Sequence, residues 1–262
     1  MTAQPSPPLL ITREPGLVVA RLNRPERLNA LSFDMQAMFA DEIVPLARDP
    51  EVRVVMLIGE GRAFCAGGDV SGMGGSSDRD SAVAGMRKAH AWLTGLRMSD
   101  AIVICAVNGV AAGGGFGLAL MGDVVMASDA ASFKAGFTAL GVAADFGLAW
   151  TLPRAVGQVR AREILLGERR IGAAEALAIG LVAQVFPAAD FEAEALATAR
   201  RLAKGPLAMG LTKRLLNHED AQGLAAYLEA EAQTQATAFA SEDFKEGVAA
   251  FMGKRPADFK GR

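Results

Sequence analysis

Twice in this chain a strongly apolar, β-branched run breaks off into bare glycine. Val54-Val55-Met56-Leu57-Ile58 leads to Phe64-Cys65-Ala66-Gly67-Gly68-Asp69-Val70, and Ile102-Val103-Ile104-Cys105-Ala106-Val107 leads to Asn108-Gly109-Val110-Ala111-Ala112-Gly113-Gly114-Gly115-Phe116-Gly117. Each run reads as a buried strand and each turn as its exit. A glycine turn after a strand can simply let the next helix pack closely. It can also let a ligand reach main-chain N–H groups, and two such groups converging on one carbonyl oxygen would form an oxyanion hole. Phosphate is the poorer fit: no Gly-Lys-Ser/Thr closes either turn, and the second lacks dinucleotide spacing with a ribose-binding acid beyond it. The pair therefore points to carbonyl chemistry on a thioester oxygen.

Around these turns strands and helices alternate, which implies parallel strands joined by crossovers and an α/β class. Leu9 to Thr12 and Leu17 to Leu22 read as strands parted by the turn Glu14-Pro15-Gly16. Ser32 is placed to cap a helix running to about Ala47, and a second helix is expected from about Ser81 to Leu96. From about Ala189 onward the pattern is helical only, over Phe191 to Lys204, Leu207 to Asn217 and Leu224 to Ala240. Pattern alone would default to a doubly wound sheet.

A chain of 262 residues can bury a substantial core in one domain with a helical appendage. With 51% hydrophobic residues, 21% charged residues and a net charge of −2, neither disorder nor a nucleic-acid surface is indicated. The two cysteines, Cys65 and Cys105, sit in apolar strand contexts without metal spacing, which suits buried thiols in a reducing cytoplasm, and no metal constellation is present. The N-terminus lacks the basic and apolar regions of a secretory signal. Ala101 to Gly122 is free of charge and long enough to span a bilayer, but its glycine-rich turn would leave backbone groups unpaired in lipid, so no membrane association is expected.

Four segments in order resemble the crotonase (enoyl-CoA hydratase/isomerase) superfamily: Leu22-Asn23-Arg24-Pro25-Glu26-Arg27-Leu28-Asn29-Ala30-Leu31, the two glycine turns, Leu152-Pro153-Arg154-Ala155-Val156-Gly157, and Phe259-Lys260-Gly261-Arg262. The resemblance covers nearly the whole chain and lies nearest the enoyl-CoA isomerase branch of phenylacetate degradation. It implies a spiral of β-β-α turns over residues 1–195, binding acyl-CoA, and a C-terminal helical region over residues 196–262 that completes the site and builds homotrimers, often paired into hexamers. It also implies an acyl-CoA thioester as substrate, no separate cofactor, and Gly68 and Gly114 as the two oxyanion donors. Two preorganised donors of this kind are each worth about 3 kcal/mol in a transition state.

The chain departs from the hydratase pattern at both of its carboxylates, having Gly117 and Phe137 where that pattern carries glutamate. Adding water to an enoyl thioester needs one group to activate the water and one to manage the proton at carbon two. Asp145 is the best remaining acid. It precedes a helix expected to begin near Phe146, so it could be an N-cap; alternatively it faces the acyl pocket. The isomerase branch carries an aspartate at the matching place, and one carboxylate suffices to move a proton along an enoyl chain. A helix N-terminus would lower its pKa, and burial against Phe137, Phe146 and Trp150 would raise it.

His90 has a packing reading and a chemical one. The aryl-CoA dehalogenase branch resembles this chain at both His90 and Asp145, with the aspartate as nucleophile and the histidine activating water. That branch has a tryptophan at the place of Phe137. His218 is expected at a helix end and carries no assigned role. For the CoA half, the resemblance implies contacts from Arg27, Leu28, Ala30, Ala66, Asp69, Val70, Phe259 and Lys260, any of which could instead be ordinary surface. Phe116, Phe137 and Trp150 are expected to line the acyl pocket. Other readings are a hydratase with noncanonical acids and a noncatalytic acyl-CoA-binding subunit. Asp145 discriminates the last, since a pure binder needs no carboxylate in an apolar pocket.

Overall fold

The computed structural model describes residues 6–69, 79–218 and 220–259. The expected contacts from Val70 and Lys260 lie outside the described residues. Strands β1 (Leu9–Glu14), β2 (Leu17–Leu22), β3 (Val54–Gly59), β5 (Ile102–Val107), β7 (Val124–Ser128) and β10 (Gln184–Phe186) form one sheet in the order β1-β2-β3-β5-β7-β10. Within it only β1 and β2 are antiparallel. The short strands β4 (Ala63–Cys65), β6 (Val110–Ala112), β8 (Ser132–Lys134) and β9 (Arg170–Gly172) form a second sheet in that order.

The chain thus alternates sheets: β3 then β4, β5 then β6, β7 then β8. Each turn of the path adds one strand to each sheet, giving a spiral of β-β-α units rather than the doubly wound sheet that alternation alone suggests. Asn108 pins the β5–β6 corner to the neighbouring turn of the spiral. Its Oδ1 accepts the Gly59 N–H (3.0 Å) and its Nδ2 donates to the Gly61 carbonyl (2.8 Å).

The continuous apolar runs follow from burial on both faces of the larger sheet. Val55 and Leu57 face the main core, while Val54, Met56 and Ile58 face a second layer closed by Phe191, Ala195 and Ala199. Those three come from α8 (Phe191–Ala203), which spans the expected boundary at residue 195 and lies on β2, β3, β5 and β7.

The helix predicted from Ser32 is present, with Ser32 Oγ accepting the Met35 N–H at 3.2 Å. It widens into a π-turn over Phe39–Ile43, where the Val44 N–H reaches back to the Phe39 carbonyl. Pro45 follows at once, and having no N–H it could not have continued the ordinary ladder.

Helix α3 (Arg79–Arg97) lies along α10 (Asp220–Ala240). Helices α4 (Gly114–Leu120) and α5 (Leu148–Val156) flank the second glycine turn, and α9 (Ala208–His218) and α11 (Glu242–Met252) bracket α10. No helix of the described residues is long and apolar enough to cross a membrane.

Candidate active site

The two glycine turns meet. A Cβ on Gly67 would lie 3.0 Å from the Ala112 carbonyl oxygen and 3.2 Å from the Gly114 nitrogen, and one on Gly115 would lie 2.1 Å from the Cys65 carbonyl oxygen. Close packing therefore demands glycine at both positions. Gly67 (φ +100°) and Gly113 (φ +52°, ψ −129°) also hold backbone conformations that L side chains rarely take.

The packing reading is correct as far as it goes, but it does not use up the backbone. Around the first turn the Ala66 N–H donates to Leu28, the Leu31 N–H donates to Gly67, and the Asp69 N–H donates to Leu31. Among the described residues no acceptor takes the N–H of Gly68 or of Gly114. Two adjacent strand exits thus each present a donor that no described residue takes up.

The segment 24–31 braces the first of these turns. Asn29 is fully buried at φ +57°, and its Nδ2 donates to the carbonyls of Glu60 (2.9 Å) and Ala63 (2.7 Å) while its Oδ1 accepts the Arg24 N–H (2.8 Å). Arg24 pairs with Asp69 at 2.7 Å and donates to the Ala30 carbonyl at 2.7 Å. Arg27, Leu28, Ala30, Ala66 and Asp69 are thereby gathered at one edge of the turn, with Arg27 exposed to solvent. Phe259 lies elsewhere, beside a surface cavity lined by Thr138, Gly141, Val142 and Thr237.

Asp145 stands against the second turn. A Cβ on Gly114 would sit 3.3 Å from its Oδ1 and 3.1 Å from the ring of Phe146. Asp145 is not an N-cap: α5 begins at Leu148, its N-cap is Gly147, and no side chain caps it. The reason is local. Phe146 (φ +53°) and Gly147 (φ +67°) are both left-handed, and this double turn swings Asp145 inward before the helix starts.

Asp145 Oδ2 accepts from Gln235 Nε2 at 3.3 Å, whereas Oδ1 is sealed from solvent and has no hydrogen-bond partner. Burial pushes its pKa up to about 8; the charge of Glu231 adds to that, and the Gln235 bond opposes it. Nearby, burial pushes the Cys65 thiol up to about 12, with the Asp145 charge adding to the rise, so Cys65 stays a neutral thiol.

His90 is buried, and its Nε2 donates to Glu231 at 2.9 Å. Glu231 also accepts the Gly147 N–H with both oxygens (3.2 and 3.1 Å), and the Tyr227 hydroxyl is turned to the same carboxylate.

Of the three residues expected around the acyl group, Phe137 reaches the turn, its Cε1 3.9 Å from a Cβ placed on Gly113. Phe116 is fully buried against Phe133, and Trp150 lies between Tyr227 and the Arg154 guanidinium, which sits 3.4 Å from its ring centre. Tyr227, Glu231 and Gln235 join the site without a local sequence motif. They recur at every fourth position of one helix, a polar stripe that marks a common face.

Gly117 leaves no space for a side chain, since a Cβ there would lie 2.7 Å from Phe146 Cβ and 2.8 Å from its carbonyl oxygen. Among the described residues no cluster of His, Cys, Asp or Glu could hold a metal ion.

Two sheets wound together from β-β-α turns, with bare amides at adjacent strand exits, define an α/β spiral of the crotonase type. Residues 12–262 match the enoyl-CoA hydratase/isomerase family, and the chain belongs to that family of enzymes acting on acyl-CoA. It is 37% identical over 253 residues to the 1,2-epoxyphenylacetyl-CoA isomerase of Escherichia coli K12, covering 95% of this chain and 97% of that protein. It is 35% identical over 257 residues to the 2,3-dehydroadipyl-CoA hydratase of the same organism, covering 97% and 99%. The crystal structure of an enoyl-CoA hydratase from Mycobacterium avium subsp. paratuberculosis K-10 superimposes with a TM-score of 0.88 at 35% identity, over 98% of this chain and 100% of that one. Relatives of similar identity thus bear the names of an isomerase and of hydratases.

Proposed function

We propose that the protein moves a carbon–carbon double bond of an acyl-CoA, converting a β,γ-enoyl thioester to the α,β-conjugated isomer. The observation that carries this reading is a single carboxylate beside Gly114 with one oxygen buried and unpartnered. The thioester oxygen is held by the N–H groups of Gly68 and Gly114. Asp145 Oδ1 takes a proton from carbon two, and the electron pair of that C–H bond moves into a dienolate whose negative oxygen the two amides stabilise. The same carboxyl then returns the proton to carbon four as the conjugated double bond forms. Atoms balance with one acid–base group, and no water enters.

Several facts weigh against the alternatives. Hydration calls for a second acid, but position 117 is filled by the backbone of Phe146 and position 137 by an apolar ring. For dehalogenation His90 would have to activate water beside Asp145, yet its ring lines a groove with Arg48, Arg87 and Glu229 that Asp145 does not border. A binding subunit would gain nothing from a buried, half-satisfied carboxylate that costs stability. The isomerase among the relatives is named for an epoxide substrate, and it shares with this reading only that an acyl-CoA is rearranged without addition of water.

In the same reading, Arg27, Leu28, Ala30, Ala66 and Asp69 line the CoA path, with Phe137 and Phe146 against the acyl group. The exposed Leu207, Leu211 and Leu215, four residues apart, form an apolar stripe suited to a subunit contact in a homotrimer or hexamer.

The test is to mix the protein with a β,γ-unsaturated acyl-CoA and follow the absorbance of the conjugated thioester, with Asp145→Asn in parallel. Turnover by the parent and its loss in the variant is expected. An Asp145→Asn protein of undiminished activity would remove Asp145 from the mechanism. Tight binding of the ester without turnover would sink the isomerase reading.

A further inference from the structure

The loop carrying Asp145 is gripped from outside by one face of α10. Gln235 binds Ala143 in both directions: the Ala143 N–H donates to Oε1 at 3.0 Å, and Nε2 donates to the Ala143 carbonyl at 3.1 Å. The same Nε2 reaches Asp145 Oδ2. One helical turn earlier, Glu231 takes the Gly147 N–H with both oxygens. The loop is therefore tied two residues before Asp145 and two residues after it. Of the two carboxyl oxygens, Oδ2 is occupied and Oδ1 is left free toward Gly114. Glu231 is itself fixed by His90 from α3, across a span of 141 residues.

We propose that Glu231 and Gln235 are positioning residues of the acyl-CoA reaction: together they choose Oδ1 as the oxygen that meets the acyl chain, and His90 locks Glu231 in place to do so. This deepens the isomerase reading and rests on it. The two residues also act on Asp145 with opposite sign, because a carboxylate behind it opposes its ionisation and an amide donor favours it. Other titratable groups face the same centre. Cys65 from the end of β4 and Tyr227 from α10 border Asp145 and Glu231. On its outer side His90 lines a groove with Arg48, Arg87 and Glu229, the last two paired with each other at 2.6 Å.

The experiment compares pH profiles of kcat/KM for the parent, Glu231→Gln and Gln235→Met. Glu231→Gln is expected to move the ascending limb to lower pH by about one unit, a tenfold change in the ionisation constant. Gln235→Met is expected to move it to higher pH and to lower kcat by tenfold or more, with KM for the CoA ester changed less than twofold. His90→Leu removes the donor that holds Glu231 and is expected to lower kcat severalfold with KM for the CoA ester changed less than twofold; an unchanged kcat in that variant overturns the role given to His90. Generic loosening of the loop would lower rates without moving the limb in opposite directions, so a limb that stays put in both variants overturns the proposal. If Glu231→Gln does not fold, Gln235→Met alone decides.

Infrared titration of the protonated Asp145 carboxyl, assigned by its absence in Asp145→Asn, reads the same shifts without turnover. An inactive parent would thus sink the isomerase reading while the titration still decided the roles of Glu231 and Gln235.

Discussion

Two aspartates in this molecule are treated in opposite ways. Asp123, at the head of β7, receives the Lys213 ammonium at 2.7 Å and the Val103 N–H at 2.7 Å. Lys213 is itself only 3% exposed and spends a further bond on the Ala101 carbonyl. Asp145 has one long bond from a neutral amide, a second carboxylate behind it and an oxygen with no partner. A buried charge that is matched holds elements together, here α9 against β5. A carboxyl left unmatched in an apolar setting is strained toward its neutral form, and that imbalance brings its pKa up toward neutrality.

Substitutions can break this contrast, and the largest effect is expected at the unmatched site. Asp145→Asn should lower isomerase turnover by about a thousandfold, the weight of a positioned general base, while leaving the fold intact as judged by circular dichroism. Asp123→Asn should do the reverse: activity per folded molecule is retained, but chemical denaturation should show a loss of about 3 kcal/mol from the stranded, buried Lys213 ammonium. Lys213→Met in the same chain should recover part of that loss.

Next comes the missing hydratase acid. Gly117→Glu forces a Cβ into the backbone of Phe146, so a cost of about 3 kcal/mol is expected from overpacking, with no hydration of an α,β-enoyl-CoA gained. Appearance of 3-hydroxyacyl-CoA from that variant would mean the Phe146 turn yields more easily than its geometry implies.

The most gradual effect is a slope. Asp145 keeps its proton up to about pH 8 when folded but loses it near 3.8 in the unfolded chain. Between those values the folded state binds the extra proton, so this residue makes stability fall as pH rises from about 4 to 8. The difference in melting temperature, Asp145→Asn minus parent, should grow over that range. A difference that shrinks instead would show that the carboxyl is ionised in the folded protein well below pH 8.

The glycine turns and the acid were legible in the sequence, whereas what surrounds that acid was not. Both glycine turns, the helical C-terminal part and Asp145 stand out because each is written in contiguous residues with a local physical meaning. Of the two readings of Asp145, the helix cap does not hold, because a bulky residue, Phe146, takes a left-handed φ that no local rule assigns to it. Glu231 and Gln235 escaped notice because their meaning is not local: they act on residues 84 to 92 positions away, and within α10 they look like ordinary polar positions. Trp150 was read as a pocket wall from its type alone, whereas its ring is committed to Tyr227 and Arg154.

The grip of α10 on the Asp145 loop also has a consequence in time. During synthesis both glycine turns and Asp145 leave the ribosome well before α10 exists, and contacts of such sequence separation form late. A nascent or C-terminally clipped chain can thus hold its sheets and yet have no oriented base. In the proposed mechanism, competence to turn over an acyl-CoA arrives only with α10, so catalysis would serve as a readout that this helix has been made and docked.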